Sequence, residues 1–307
     1  MGNGVDDFFE KSFLESGGSL EAETSNILSQ YFHTDNQPAF LDLDEGKSRE
    51  GDILAKETFP ILAKETFPSV SEMESDKHML AQLILTVECK NLPDHGWIFT
   101  QGKIKQHFQP FTLIRTNDHL IKNLYPQRTL DEIIGTNNSF ERFLDNKKTE
   151  QQNRTNKQQD GTNKQTNNIH DSSLKVIKLT RYLKNEDIKD AKSYYKHYNS
   201  RTEVVFFKIY QPLIVFNGHL YVKKINEQKI IPVGYLQFTR QYKSQSYNED
   251  VTIHVVSSDH IQKYLNIIRP YYMECSRYII DHQSEITDAV RNDLIHWDDF
   301  NPFPLKV

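Results

Sequence analysis

The chain has 307 residues, 37% apolar, 26% charged and 11% aromatic, enough to bury a sizeable core in one large or two modest domains. Its mean hydropathy of −0.67 implies a substantial solvated share, and no run approaches the roughly 18–20 apolar residues of a membrane span. The N-terminus lacks the basic head and apolar stretch of a secretory signal, and MGNGVD carries Asp6 where a myristoylation signal wants Ser or Thr. Two distant cysteines exclude a disulfide framework or a cysteine zinc site, so a cytoplasmic protein that avoids membranes is expected. The net charge of −5 is unevenly spread: residues 1–80 hold 17 Asp/Glu against 6 Lys/Arg, and the remainder carries +6. That distribution suits a protein meeting a polyanion through its later segments, and it equally suits ordinary surface variation.

A short aromatic-rich helix (DDFFEKSFLE) is predicted before Gly17-Gly18, with Ser19 placed to cap a second helix, LEAETSNILSQYF. In that second helix Leu20, Thr24, Ile27, Leu28, Tyr31 and Phe32 form one stripe at helical spacing. Glu21 lies on the stripe, and a carboxylate on a buried helix face calls for a reason. PAFLDLDEG reads as a strand entering a turn, and SREGDILAKE follows with a strand at Asp52, Ile53 and Leu54 coming directly after the acid. ILAKETFP occupies 53–60 and recurs unchanged at 61–68; only one copy can hold the strand position.

QLILTVECKN is the clearest strand of the first half, followed by the aromatic stretch HGWIF. Segments within 118–145 (HLIKNL, LDEIIG, SFERFLD) read as helical, and 146–173 as a polar, disordered insertion. A basic helix follows, LKVIKLTRYLKNEDIKDAKSYYKHY. On it Lys175, Lys178, Arg181 and Lys184 could touch backbone phosphates, a solvated helix face being the competing reading. TEVVFFKIYQPLIVFNGHLYVKKI is β-rich, with Asn217-Gly218 predicting a hairpin. IPVGYLQFTRQY and VTIHVVSS complete the strands, and HIQKYLNIIRPYYMECSRYII makes a last helix kinked or broken at Pro270. The expected fold is α/β, a mixed central β-sheet flanked by helices. It is one domain built from 1–145 and 174–280, with the insertion at 146–173 and a tail at 281–307.

Strand geometry directs the chemistry. Residues i and i+2 share a face, so Glu88 and Lys90 point one way and Val87, Cys89 and Asn91 the other. If the preceding strand ends with Asp52, its carboxylate can lie next to that of Glu88. Two carboxylates converging near a lysine make a hard oxygen site suited to Mg²⁺ or Mn²⁺, with Glu21 as a further acid. The competing reading is an exposed strand-edge ion pair of little consequence. No HExxH pairing, phosphate-cradling glycine loop or nucleophile elbow offers another chemistry. His254 alternates with Ile253 and Val255 and could face the same site.

The order of a helical Glu, a strand Asp and then E-x-K on the next strand resembles the PD-(D/E)XK restriction-endonuclease-like superfamily. The resemblance is to a branch of that superfamily in prokaryotes. It runs through GGSLEAETSNIL, SREGDILAKE, LILTVECKN with HGWIF, and YQPLIVFNGHLYV. Gly51 stands where the superfamily usually has proline before its Asp. The resemblance implies a restriction-endonuclease-like fold and a Mg²⁺- or Mn²⁺-dependent nuclease acting on nucleic acid, with DNA the expected substrate. It implies Asp52 and Glu88 as metal ligands, Lys90 as catalytic lysine and Glu21 as the helix acid. Expected partners are DNA and either a second copy or a defence or repair complex. The alternative is an inactive nucleic-acid-binding or partner subunit that keeps the nuclease fold.

Overall fold

A computed structural model describes residues 17–59, 77–101, 140–147, 168–197, 203–223, 229–244 and 247–281. Helix α1 (Gly18–Ser29) starts from Gly17, whose φ of 86° is left-handed and whose carbonyl accepts the first N–H bonds from Leu20 and Glu21. The cap is therefore Gly17, two residues ahead of the expected Ser19. Its predicted stripe is the buried one, with Leu20, Thr24 and Leu28 facing inward. Strands β1 (His33–Asn36), β2 (Ala39–Asp42) and β3 (Lys47–Glu50) follow, β2 and β3 forming a two-stranded hairpin. Gly46, at φ 66°, turns that hairpin.

Ile53–Phe59 of the first octapeptide copy form β4, so the strand starts after Asp52 instead of ending with it; the second copy lies outside the described residues. Strand β5 runs unbroken from Lys77 to Gln101, joining the ECK strand and the Trp-aromatic stretch. β6 (Phe140–Lys147) pairs antiparallel with its second half. FERFLD of the segment SFERFLD is thus strand and not the expected helix. Phe140, Phe143 and Leu144 have helical spacing, but β5 presents an edge from His95 to Gln101, and pairing with it overrides the local preference.

Helix α2 (Asn168–His197) begins six residues inside the tract read as an insertion, because Ile169, Ser172 and Ser173 are buried beneath the sheet. Residues 148–167 lie outside the described residues. β7 (Glu203–Lys223) is one continuous strand, so Asn217-Gly218 makes no hairpin. Instead this dipeptide accompanies a register shift, where β7 slips against β5 between Asn91 and Gly96. A Cβ on Gly218 would come 2.4 Å from the Phe216 ring and 2.7 Å from the Leu92 carbonyl oxygen, so close approach explains the glycine. β8 (Ile230–Pro232), β9 (Tyr235–Ser244), β10 (Tyr247–Ser257) and α3 (Ile261–Asp281) complete the described fold. Pro270 lies inside α3, which is continuous through it.

The fold is α/β, with a mixed sheet in the order β1-β4-β5-β7-β10-β9, β6 added on β5 and β8 on β7. β5–β7 and β7–β10 are parallel; the other pairs are antiparallel. Helices cover both faces, as parallel strands require. One face packs Ile53, Leu85, Val87, Leu213 and Val256 against Leu20 and Leu28 of α1 and Tyr264 and Leu265 of α3. The other packs Trp97, Ile214 and Phe216 against Ile169, Val176 and Ile177 of α2. Trp97 and Phe216 stack with centroids 4.0 Å apart. At about 1.5–3 kcal/mol per fully buried large side chain, these two clusters outweigh any ion pair in holding the strands that carry the site.

Candidate active site

Register brings the two strand acids together. Ile53 pairs with Val87, so one further step sets Asp52 opposite Glu88. Asp52 is held from several sides: its Oδ2 accepts the Cys89 N–H at 2.6 Å, and its carbonyl accepts the Gln37 N–H at 2.8 Å. Gly51 beside it donates its N–H to the Pro38 carbonyl at 2.9 Å. A Cβ on Gly51 would lie 2.7 Å from Leu179, so a proline there would lose that bond and meet the helix. This accounts for glycine before the acid. The duplication leaves Asp52 undisturbed, because the first copy continues directly from it into β4.

Glu88 is 2% exposed and faces α2. Its Oε1 pairs with Lys90 at 3.1 Å, so Glu88 and Lys90 share a strand face as expected. Cys89 points the other way into the α1–α3 core, where burial first and then Asp52 push its thiol upward and keep it protonated. Glu21 is half-buried and lines a cleft of about 220 Å³ with Gly18, Ala22, Asn36, Gln37 and Asp52. The four residues singled out by the E-x-K pattern and its partners are therefore brought to one locality.

The residue whose place could not be read from sequence is Lys175. Its Nζ lies 2.6 Å from Asp52 Oδ1 and 2.8 Å from Glu88 Oε2, bridging both carboxylates from α2. Helical spacing alone groups it with Lys178, Arg181 and Lys184 on a stripe that could face either phosphates or solvent. The others of that stripe also meet protein groups. Lys178 donates to Asp42 Oδ2 at 2.7 Å and Glu45 Oε1 at 3.1 Å, and Arg181 pairs with Asp44 at 3.1 Å. Lys184 lies over the Tyr210 ring at 5.8 Å. This hairpin–helix network, with Arg49 also on Asp42 at 2.6 Å, fastens α2 over the site.

Electrostatically the locality is short of positive charge. Desolvation and then the Asp52 charge raise Glu88 to about 7, and the same two causes raise Glu21. Desolvation of Lys175 works the opposite way but is overcome by the Glu88 and Asp52 charges, so its proton is held more tightly than usual. Acids and lysine move together because three carboxylates set a negative potential, which favours any cation. Among the described residues no group of three His, Cys, Asp or Glu side chains is close enough to hold an ion. Yet a single cationic nitrogen sits within hydrogen-bond distance of both Asp52 and Glu88. The donor set thus suits one shared hard cation.

His254 does not join the site. It is wholly buried on β10, its Nδ1 2.6 Å from the Tyr264 hydroxyl of α3, in the core on the opposite face from α2. No described helix is long and apolar enough to cross a membrane. Compared with protein-family models, with curated proteins and with solved structures, the chain matches none of them.

Proposed function

We propose that this chain is a divalent-metal-dependent nuclease of the PD-(D/E)XK type, cytoplasmic and acting on DNA. One observation carries the reading: Asp52 and Glu88 jointly reach one cation position, with Lys90 on the same strand face as Glu88. Asp52 Oδ1 and Glu88 Oε2 would hold Mg²⁺ or Mn²⁺. When bound, the ion would lower the proton affinity of water and neutralise charge building on the phosphate. Asp52 is kept in place by the Cys89 N–H on Oδ2, which leaves Oδ1, the oxygen now held by Lys175, directed at the cation position. The Lys90 ammonium, 30% exposed and paired with Glu88, would donate a hydrogen bond to the attacking water or to the oxygen gaining charge. Glu21 borders the cleft beside Asp52 and would add a further oxygen toward the ion's water shell.

A second reading has its own observation in favour. Lys175 already supplies a cation to both acids, as it would in an inactive subunit that keeps the fold. Cleavage of supercoiled plasmid and of single-stranded DNA with Mg²⁺ or Mn²⁺ decides between the two. The nuclease reading expects cleavage by wild type and a loss of about 10²-fold or more in Asp52→Asn, Glu88→Gln and Lys90→Ala. Equal cleavage by all four proteins would sink the assignment. No cleavage by wild type would leave the inactive-subunit reading.

A further inference from the structure

Lys175 reaches the two acids from the helix face opposite α1, at distances that leave no room for a second cation between them. Its helix cannot easily withdraw. Val176, Ile177 and Leu179 are buried against the sheet, and the Thr180 hydroxyl hydrogen-bonds that of Thr86 on β5 at 2.6 Å. The side chain can move where the helix cannot, because its stem is unbranched and 33% exposed. Glu88 would keep the Lys90 ammonium on its other oxygen throughout.

From this we infer that Lys175 is a built-in counter-cation standing in the divalent-ion position between Asp52 and Glu88, and that it must swing out before an ion can enter. The inference rests on the metal-site reading above. Its consequence is a tax on affinity: the apparent metal affinity falls in proportion to the fraction of molecules with Lys175 withdrawn. Lys175 is then a regulator of loading. It lets the two acids coexist in metal-free protein, while α2 and the β2–β3 hairpin clamped to it keep the ammonium aimed at them.

Two measurements on the full chain test this. The first is Mn²⁺ binding, followed by the loss of free-ion electron paramagnetic resonance signal, for wild type, Lys175→Met and Asp52→Asn. The expected result is Mn²⁺ affinity at least tenfold higher in Lys175→Met than in wild type. Similar affinities in these two, with loss in Asp52→Asn, would overturn the inference and leave the metal site standing. No Mn²⁺ binding by either wild type or Lys175→Met at millimolar ion would remove the metal site and the inference together. The second measurement needs no variant, so it decides even if Lys175→Met fails to fold. Acetylation of Lys175 by an amine-reactive ester, read by peptide mass spectrometry, should rise several-fold when Mn²⁺ is added to wild type. Labelling that stays constant or falls on adding Mn²⁺ would mean that the ammonium never leaves for the ion.

Discussion

Substituting His254 by Gln is expected to remove a defined part of the protein's acid sensitivity. His254 lies between Leu213 of β7 and Gln237 of β9 and meets Tyr264 of α3 edge-on, ring planes at 87°. Its Nε2 has no hydrogen-bond partner among the described residues. Burial alone lowers its imidazole to about 3, so the folded protein keeps it neutral through mildly acid solution. The unfolded chain binds a proton near pH 6.5. Between these values the unfolded state takes up a proton that the folded state refuses, so stability is full above pH 6.5 and drains away as pH falls toward 3. The gap of about 3.5 units, at 1.36 kcal/mol each, amounts to roughly 5 kcal/mol, comparable with the whole stability of many domains. At pH 4.5 roughly 3 kcal/mol of it should already be lost, the share between pH 6.5 and 4.5 at the same rate. Urea unfolding of both proteins at pH 7.5 and 4.5, without divalent ions, isolates the contribution of this one imidazole. Gln can still reach Tyr264 but cannot titrate, and all other acid-sensitive groups cancel in the comparison. Wild type should lose more stability than the variant over this interval by about that amount. Parallel losses in the two proteins would refute the assignment.

Two further predictions concern the elements that hold the site. Lys178→Met removes the helix partner of Asp42. Burial works to raise that carboxyl, but the Lys178 and Arg49 bonds outweigh it and hold the group at about 2. With Arg49 still in place, a loss of about 2 kcal/mol is expected, less than for a fully broken buried pair. A urea midpoint within error of wild type would show that the hairpin does not depend on this residue. Gly218→Ala would push its Cβ against a Phe216 ring pinned by Trp97, and overpacking of this kind costs about 1–3 kcal/mol. Calorimetry should show a lower Tm together with a weakened near-UV signal from the stacked tryptophan, and an unchanged Tm would mean that the ring yields freely.

The parts of the site readable from sequence are those governed by local periodicity. Glu88 and Lys90 share a face because strands have a period of two, and the apolar run before them marked the strand. Glu21 followed from a helical stripe whose buried members are the expected ones. Lys175, Lys178, Arg181 and Lys184 illustrate the limit of the same rule. Helical spacing correctly implies that they are neighbours, but periodicity carries no information about what a helix face meets. That depends on α2 lying across the sheet between the parallel strands β5 and β7, over β5 and the β2–β3 hairpin. SFERFLD and Asn217-Gly218 fail for a related reason. Each carries a sound local preference, and each is overridden by the long strand beside it.

The duplicated octapeptide shows how far such limits extend. Two identical copies have identical propensity, so nothing inside ILAKETFP can choose which becomes β4. The choice has to come from what adjoins it. Only the first copy follows Gly51 and Asp52, which are fastened by the Pro38 carbonyl, the Gln37 N–H and the Cys89 N–H. Those bonds fix the register from Ile53 to Phe59 against Val87 to Ala81 and so set Asp52 opposite Glu88. The contacts that position the candidate catalytic acid are therefore the same ones that select the strand, and an added copy downstream of Phe59 leaves both unchanged.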